Sequence, residues 1–485
     1  MGMKRRAMTA AIWSGGDLVF RQGLQFIATL LLARLLVPAD FGLVAMAALF
    51  IVVANMLVDA GFGVALIQSP AIDHDDESTV FWCNLAIGAA LSIALFALAP
   101  LVAAFYGLPK LAPLMRFMAA TPLLAASSAV HFALLTRKLD FRTQAIAGGI
   151  GATAGGIAAI AIALRGGGAW ALAALPVLST GCISAALWAL HRWRPALAFR
   201  RRSFKRLAGF GGYVLAASIL EAFYSRLYTV LIGRRFGPID VGYYANADNT
   251  RMLPLNFLGN MLSRIGLPLL SAAGDNVGLK ARGFEHAARA GMLAATLLLL
   301  PPIAFPEQVL LLLFGTQWIA AAPLLRILAL AGLLYPLHAL NLQLLLSAGR
   351  SAEYFRIEVW KKVVGVALLF AGIRFGAEGV AWSQVVLSVA SLWINASRGG
   401  KVIGHGTLRQ IGDVWPPLLA VGLAWACAAA LDDHRGGWTA NLSLRCVAAA
   451  AAFSAVNLLL WRPQLRDVAR SLREAFGGAK DAQLP

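Results

Sequence analysis

Charge is scarce in this chain. Asp, Glu, Lys and Arg make up 13% of its 485 residues, about half the share of a soluble domain. The apolar fraction is 59%, more than one water-soluble core absorbs, so the excess calls for lipid. Cysteine is scarce too. Cys83, Cys182, Cys427 and Cys446 all fall in apolar runs without paired spacing, which excludes a disulfide frame or a cysteine metal site. No P-loop, CxxC pair, HExxH or GxSxG is found, so neither ATP hydrolysis nor these hydrolytic chemistries has a seat here. The glycines of Gly148–Gly156 lie inside an apolar run and read as close helix packing, not as a nucleotide loop. No catalytic residue, cofactor or metal is expected. The loops are short, without the sizeable outer loop a membrane polymerase or ligase would use.

What is present is a succession of apolar runs of about 20 residues, the length a helix needs to cross roughly 30 Å of hydrocarbon. Alternating barrel strands do not occur, and hydrocarbon admits little else. The expected fold is therefore all-α and polytopic, with about 14 transmembrane helices. Their approximate spans are 14–38, 41–68, 79–105, 112–136, 143–164, 168–191, 208–234, 241–270, 286–305, 321–347, 354–374, 377–397, 414–431 and 442–461. Pro122, Pro176, Pro254, Pro268, Pro301, Pro302 and Pro336 are expected to break several of them. The basic start Met1–Arg6 has no A-x-A cleavage signal after it and reads as the lead into a retained first helix.

The formal net charge of +19 follows the positive-inside rule and does not point to nucleic acid. Arg137, Lys138, Arg142, the run from Arg192 to Arg206, Lys280, Arg350, Arg398, Lys401 and Arg466 alternate with sparsely charged loops. That asymmetry places both termini in the cytoplasm. The basic loops are suited to anionic lipid headgroups.

The chain repeats itself. LARLLVPADFGLVAMA at Leu32–Ala47 is echoed by LIGRRFGPIDVGYYANA at Leu231–Ala247, with Pro38, Asp40, Gly42 and Ala45 matching Pro238, Asp240, Gly242 and Ala245. APLMR at Ala112–Arg116 is matched by APLLR at Ala322–Arg326. Two pseudo-symmetric six-helix bundles follow, 1–200 and 201–405, with two appended helices and a basic cytoplasmic tail in 406–485. An even helix number makes the repeat parallel, and such paired bundles enclose a central cavity for alternating access.

Ionisable residues inside the bilayer are costly and mark function. Arg226 stands 12 residues before Pro238 and Arg251 stands 11 after Asp240, depths of ~18 Å and ~16 Å at 1.5 Å per residue. Asp248 shares a helix face with Arg251, and Glu221 lies on the inner half of the preceding helix. Two readings stand. In one, Arg226 and Arg251 hold an anion, tuned by Glu221 and Asp248, since guanidinium binds phosphate through paired hydrogen bonds. In the other, the four residues pair and tie helices together. Arg21, with Asp17 and Gln25 on one face, occupies the position equivalent to Glu221, so the two can bind each other across the cavity in one state or hold ligand in another. Snorkelling is the alternative for Arg21, Asp17 and Asp59. Arg116 and Arg326 line the outer mouth or sit at the interface. On the anion reading, Arg251→Ala should impair export with protein levels near normal.

The stretches LARLLVPADFGLVAMA, DAGFGVALIQ (Asp59–Gln68), FWCNLAIG (Phe81–Gly88), LTRKLDFR (Leu135–Arg142), FGPIDVGYYANA (Phe236–Ala247), LFGTQW (Leu313–Trp318) and SAGR (Ser347–Arg350) carry a resemblance. In this order the chain resembles the polysaccharide transporter family, the Wzx-like oligosaccharide flippases of the multidrug/oligosaccharidyl-lipid/polysaccharide superfamily, of the colanic-acid-exporter type. One departure is Gly266-Leu267-Pro268, where an aromatic residue before the proline is the family's habit. The resemblance implies a non-enzymatic flippase of the bacterial inner membrane. Its cargo would be an undecaprenyl-pyrophosphate-linked oligosaccharide bound for lipopolysaccharide, capsule or exopolysaccharide. A polymerase and a chain-length regulator are the implied partners, beside membrane lipids, and a monomer is the expected state. The competing classes are a cation-coupled multidrug or small-solute exporter of the same superfamily and a membrane polysaccharide polymerase or ligase.

Overall fold

A computed structural model describes residues 20–59, 63, 66–67, 69, 72–200, 224, 226–272, 274, 276–431 and 438–466. The described residues are predominantly helical, with no strand among them. Among the described residues ten stretches are long and apolar enough to cross a bilayer, and three of them, Leu111–Arg137, Thr316–Ser347 and Ser351–Ile403, each hold more than one helix. The chain is a multi-pass membrane protein. It divides into two compact units, one of residues 1–245 with 313–317, the other of 246–312 with 318–485.

The first unit opens with α1 (20–35) and continues through α2 (Pro38–Asp59), α3 (His74–Tyr106), α4 (Leu111–Met118), α5 (Thr121–Arg137), α6 (Phe141–Leu164), α7 (Ala169–Leu190) and α8 (226–236). Local chemistry sets the ends. Asp73 accepts a hydrogen bond from the Asp76 backbone N–H at 2.7 Å, while the Asp76 carboxylate accepts from the Asp73 N–H at 3.3 Å. This reciprocal cap satisfies two donors that begin α3. Gly107, at φ 68°, ends the same helix in a left-handed turn. The predicted helix at 112–136 is in fact two, because Pro122 occupies the first turn of α5 and closes α4 behind it. The expected close packing at the glycine-rich run is present. A Cβ on Gly155 would stand 2.0 Å from Ser179 Oγ, and one on Gly151 2.6 Å from the Ser179 carbonyl, so α6 and α7 approach backbone to side chain with no room for a methyl.

Helix α9 (Pro238–Ala272) starts in the first unit and continues into the second. There follow α10 (Val277–Ala304), α11 (Pro306–Leu313), a 3₁₀ turn (Thr316–Ala321), α12 (Ala322–Gly332), α13 (Tyr335–Ser347), α14 (Ser351–Gly372), α15 (Gly376–Ile403), α16 (Thr407–Ala430) and α17 (Trp438–Leu460). The predicted span 286–305 begins earlier than its hydropathy suggests. The Asn276 side chain caps the Leu279 N–H at 3.0 Å, so a basic, amphipathic lead of nine residues joins the apolar stretch. Pro336 divides the predicted 321–347 helix as Pro122 divides its counterpart. Both APLxR motifs thus open a short helix that a proline soon ends. Pro176, Pro301 and Pro302 sit inside continuous helices instead. Two apolar clusters hold this unit. Leu299, Ala329, Ala420 and Ala424 meet in one, and Met292, Leu340, Leu392 and Val414 in the other. Among the described residues all four cysteines are free.

Candidate functional site

The candidate site in the second unit centres on Arg251. Its position on α9, three residues after Asp248, brings guanidinium and carboxylate onto one face. Arg251 Nη2 donates to Asp248 Oδ1 at 2.5 Å. Nη1 donates to Gln384 Oε1 of α15 at 3.0 Å and to the Leu328 carbonyl of α12 at 3.3 Å. The side chain of Arg251 is 7% exposed and that of Asp248 is 30%. The carboxylate is therefore the member of the pair open to its surroundings, and the guanidinium is held behind it. Arg251 Nε is buried without a partner, so one donor remains for an incoming acceptor.

The other singled-out residues lie elsewhere. In the first unit Arg21 and Arg226 are half-buried, on α1 and among the first described residues of α8. Arg116 is exposed and lies over the Phe96 ring, 5.1 Å from its centroid. In the second unit Arg326 lies 5.9 Å from the Trp425 ring centroid and donates Nε to the Ile303 carbonyl at 3.1 Å. The repeat-related arginines thus share one chemistry, a cation on an aromatic face, and Arg326 adds a tie to α10. Asp59 is the last residue of α2. Asp17 and Glu221 lie outside the described residues.

Three arrangements escaped the sequence reading. Gln317 of the LFGTQW motif donates Nε2 to the carbonyls of Ala33 and Leu36, at 2.5 and 2.7 Å. Carbonyls at the end of α1 are thereby tied to a residue 284 and 281 positions away. The motif's conspicuous polar residue was the available signal. Second, His131 and His191 face one another, Nδ1 to Nδ1 at 3.1 Å, beside Trp188 and Trp193. His191 stands just beyond α7. Its pKa is lowered, chiefly by burial, with Lys138 and Arg194 adding to the effect against Asp140 and Glu77.

Third, Glu285, His405 and Asp413 place one donor atom each within 4.8 Å of one another, a set able to ligate a cation. Arg289 Nη2 already lies 3.8 Å from Glu285 Oε2 and 3.7 Å from Asp413 Oδ1. Arg409 Nη2 lies 3.6 Å from Glu285 Oε1. Guanidinium supplies the countercharge, so the cluster reads as an electrostatic tie between α10 and α16.

Comparison with known proteins gives three kinds of likeness. The family model described as polysaccharide biosynthesis protein matches residues 31–323. The succinoglycan biosynthesis transport protein ExoT of Rhizobium meliloti is 27% identical, over 96% of this chain and 94% of that protein. The teichuronic acid biosynthesis protein TuaB of Bacillus subtilis is 26% identical, over 94% and 95%. The lipopolysaccharide biosynthesis protein WzxC of Escherichia coli is 24% identical, over 86% of each. Among solved structures, the lipid II flippase MurJ in an inward closed conformation superposes with a TM-score of 0.75, covering 94% of this chain and all of that one at 12% identity. An inward-facing multidrug transporter of the MATE family gives 0.60 over 83% and 98%, at 15% identity. At such identities the last two establish a shared fold.

Proposed function

The chain belongs to the polysaccharide biosynthesis protein family, and from that premise we propose that it moves lipid-linked oligosaccharide units across the bacterial inner membrane, as a transporter and not an enzyme. One observation carries the reading: the likeness to the succinoglycan transport protein runs over 96% of this chain and 94% of that one. The cargo class we assign is a polyprenyl-pyrophosphate-linked oligosaccharide, undecaprenyl in bacteria, flipped from the inner to the outer leaflet. Its pyrophosphate calls for arginines, its sugars for a wet cavity, and its tail stays in lipid.

We place that cavity between two parallel six-helix bundles, 1–200 and 201–405, with both termini cytoplasmic. Arg21 and Arg226, half-buried, are the arginines we assign to the pyrophosphate, with Arg116 and Arg326 towards the mouth. The Arg251–Asp248 pair is assigned a switching role. A cation that neutralises Asp248, a proton or a sodium ion, weakens the hydrogen bond to Arg251 Nη2, and the freed N–H joins the unpartnered Nε in presenting two parallel donors to phosphate. Asp17, Glu221 and Asp59 remain proposed charge partners.

The test is deletion in the native host with complementation. The reading expects lipid-linked repeat units to accumulate on the cytoplasmic leaflet and surface polysaccharide to disappear, both reversed by the wild-type gene. Unchanged polysaccharide, or accumulation on the outer leaflet as for a missing polymerase, overturns it.

A further inference from the structure

A cavity of about 380 Å³ opens between α14 and α15, away from Arg251. Charged residues line one end of it and apolar residues the other. Arg356 lies 5 residues after the start of α14 at Ser351, and Arg398 lies 5 residues before the end of α15 at Ile403, so each stands ~7.5 Å inside its helix end. Trp360 and Ile394 lie one turn deeper, at ~13.5 Å on the same count, and Ile357 forms the floor, 5% exposed. Two antiparallel helices thus place guanidinium at one level and hydrocarbon at the next.

The charges at that level do not cancel. Glu353 Oε1 accepts from Arg398 Nη1 at 3.4 Å, and its Oε2 lies 3.7 Å from Arg350 Nη1. Arg356 donates Nε only to the Ala352 carbonyl of its own helix, at 3.5 Å, and forms no ion pair among the described residues. Arg350 and Arg398 therefore share one carboxylate, and Arg356 stands beside them as an uncompensated cation. Trp360 is 65% exposed beside them, the place an indole takes where headgroups meet acyl chains.

We propose that this groove binds one anionic glycerophospholipid of the leaflet on the basic side of the protein. Its phosphate meets Arg356 and Arg398, and the upper part of one acyl chain lies over Trp360 and Ile357. Independent snorkelling explains any one of the arginines. It does not explain the convergence of Arg356 and Arg398 at one depth over an apolar floor. The leaflet is cytoplasmic if the orientation proposed above holds, but the site does not depend on cargo transport.

The test uses the full-length protein purified in a neutral detergent. It is titrated with phosphatidylglycerol, phosphatidylcholine, inorganic phosphate or a polyprenyl diphosphate, and read by native mass spectrometry and thermal melting. The site predicts one retained phosphatidylglycerol per chain and a melting rise that phosphatidylcholine and inorganic phosphate do not give. Arg356→Gln with Arg398→Gln should weaken that binding by roughly ten- to thirtyfold, at about 1 kcal/mol per basic residue. Trp360→Ala should also weaken it, although every charge is kept. Retention of phosphatidylglycerol by the double glutamine variant, or equal affinity for phosphatidylcholine, overturns the proposal. Preference for polyprenyl diphosphate over phosphatidylglycerol overturns it as well and makes the groove a cargo site. Loss of transport in the host leaves these titrations unchanged, so the two readings fail separately.

Discussion

A Cβ on Gly42 would stand 1.7 Å from the carbonyl oxygen of Pro238. The reciprocal contact exists 200 residues on, where a Cβ on Gly242 would stand 2.0 Å from the Pro38 carbonyl. The PADFG and PIDVG copies therefore meet each other, each proline backbone lying in the space its partner's glycine leaves. Such mutual contact is the signature of a local two-fold relation. Backbone cannot yield as a side chain can, so Gly42→Ala and Gly242→Ala should each cost ~1–3 kcal/mol or more by overpacking. Thermal melting of purified variants checks this, with Gly412→Ala, which meets nothing within 4 Å, as the neutral control. Equal melting temperatures for all three would contradict it.

Arg251→Ala separates two readings of the buried pair. Sequence alone led to an expectation of lost export at normal protein levels. With three hydrogen-bond acceptors served by Arg251, truncation also leaves Asp248 uncompensated. The side-chain exposure of Asp248, 30%, moderates the penalty to ~1–3 kcal/mol, under the figure for a fully buried pair. The double variant Arg251→Gln with Asp248→Asn should therefore be more stable than Arg251→Ala alone, while still failing to export. A double variant that melts no higher than the single one would count against the pairing.

Arg226→Gln should behave differently. Arg226 is half-buried and is assigned to cargo, so the variant should accumulate to near wild-type levels in membranes yet export at least tenfold less polysaccharide. Quantitative blotting beside a surface-polysaccharide assay decides it. Normal export removes Arg226 from the site.

Gln317→Ala removes the amide that donates to the Ala33 and Leu36 carbonyls, at ~1–3 kcal/mol for buried acceptors. Gln317→Glu should be worse, because a carboxylate oxygen would face the Ala33 and Leu36 carbonyls. A melting series with Gln317→Ala between wild type and Gln317→Glu is the expected order.

Acid should loosen the first unit through His191. Its pKa is lowered by burial, so the folded state binds the proton less readily than the unfolded chain does. Stability is then complete above the ordinary histidine value near 6.5 and falls as pH drops from there through the depressed folded value. His191→Gln should flatten the melting temperature between about pH 7 and pH 5. An unchanged slope would clear His191 of the effect.

Much of this architecture was legible because membrane crossing demands long apolar runs, and those runs give the helices away. The pairing of Arg251 with Asp248 was legible as well, since i,i+3 spacing fixes it locally. Gln384, 133 residues from Arg251, was not. A lone glutamine in an apolar helix announces that it has a partner without saying which. The split at Pro122 and Pro336 was half legible: the prolines flagged a break, but only the backbone distinguishes a new helix start from a proline carried inside a helix, as at Pro176. The Glu285–His405–Asp413–Arg289 cluster stayed hidden because its members come from two helices and a turn far apart in sequence.

The most direct measurement of cargo movement is a vesicle assay. Purified protein is reconstituted into liposomes with a fluorescent polyprenyl-pyrophosphate oligosaccharide, and an impermeant quencher reads the fraction of cargo exposed outside. The account predicts that, with protein present and a cation gradient applied, quenching proceeds past the half accessible in protein-free vesicles towards completion, and that Arg226→Gln slows it at least tenfold. Quenching that halts at one half with folded, correctly inserted protein would contradict it.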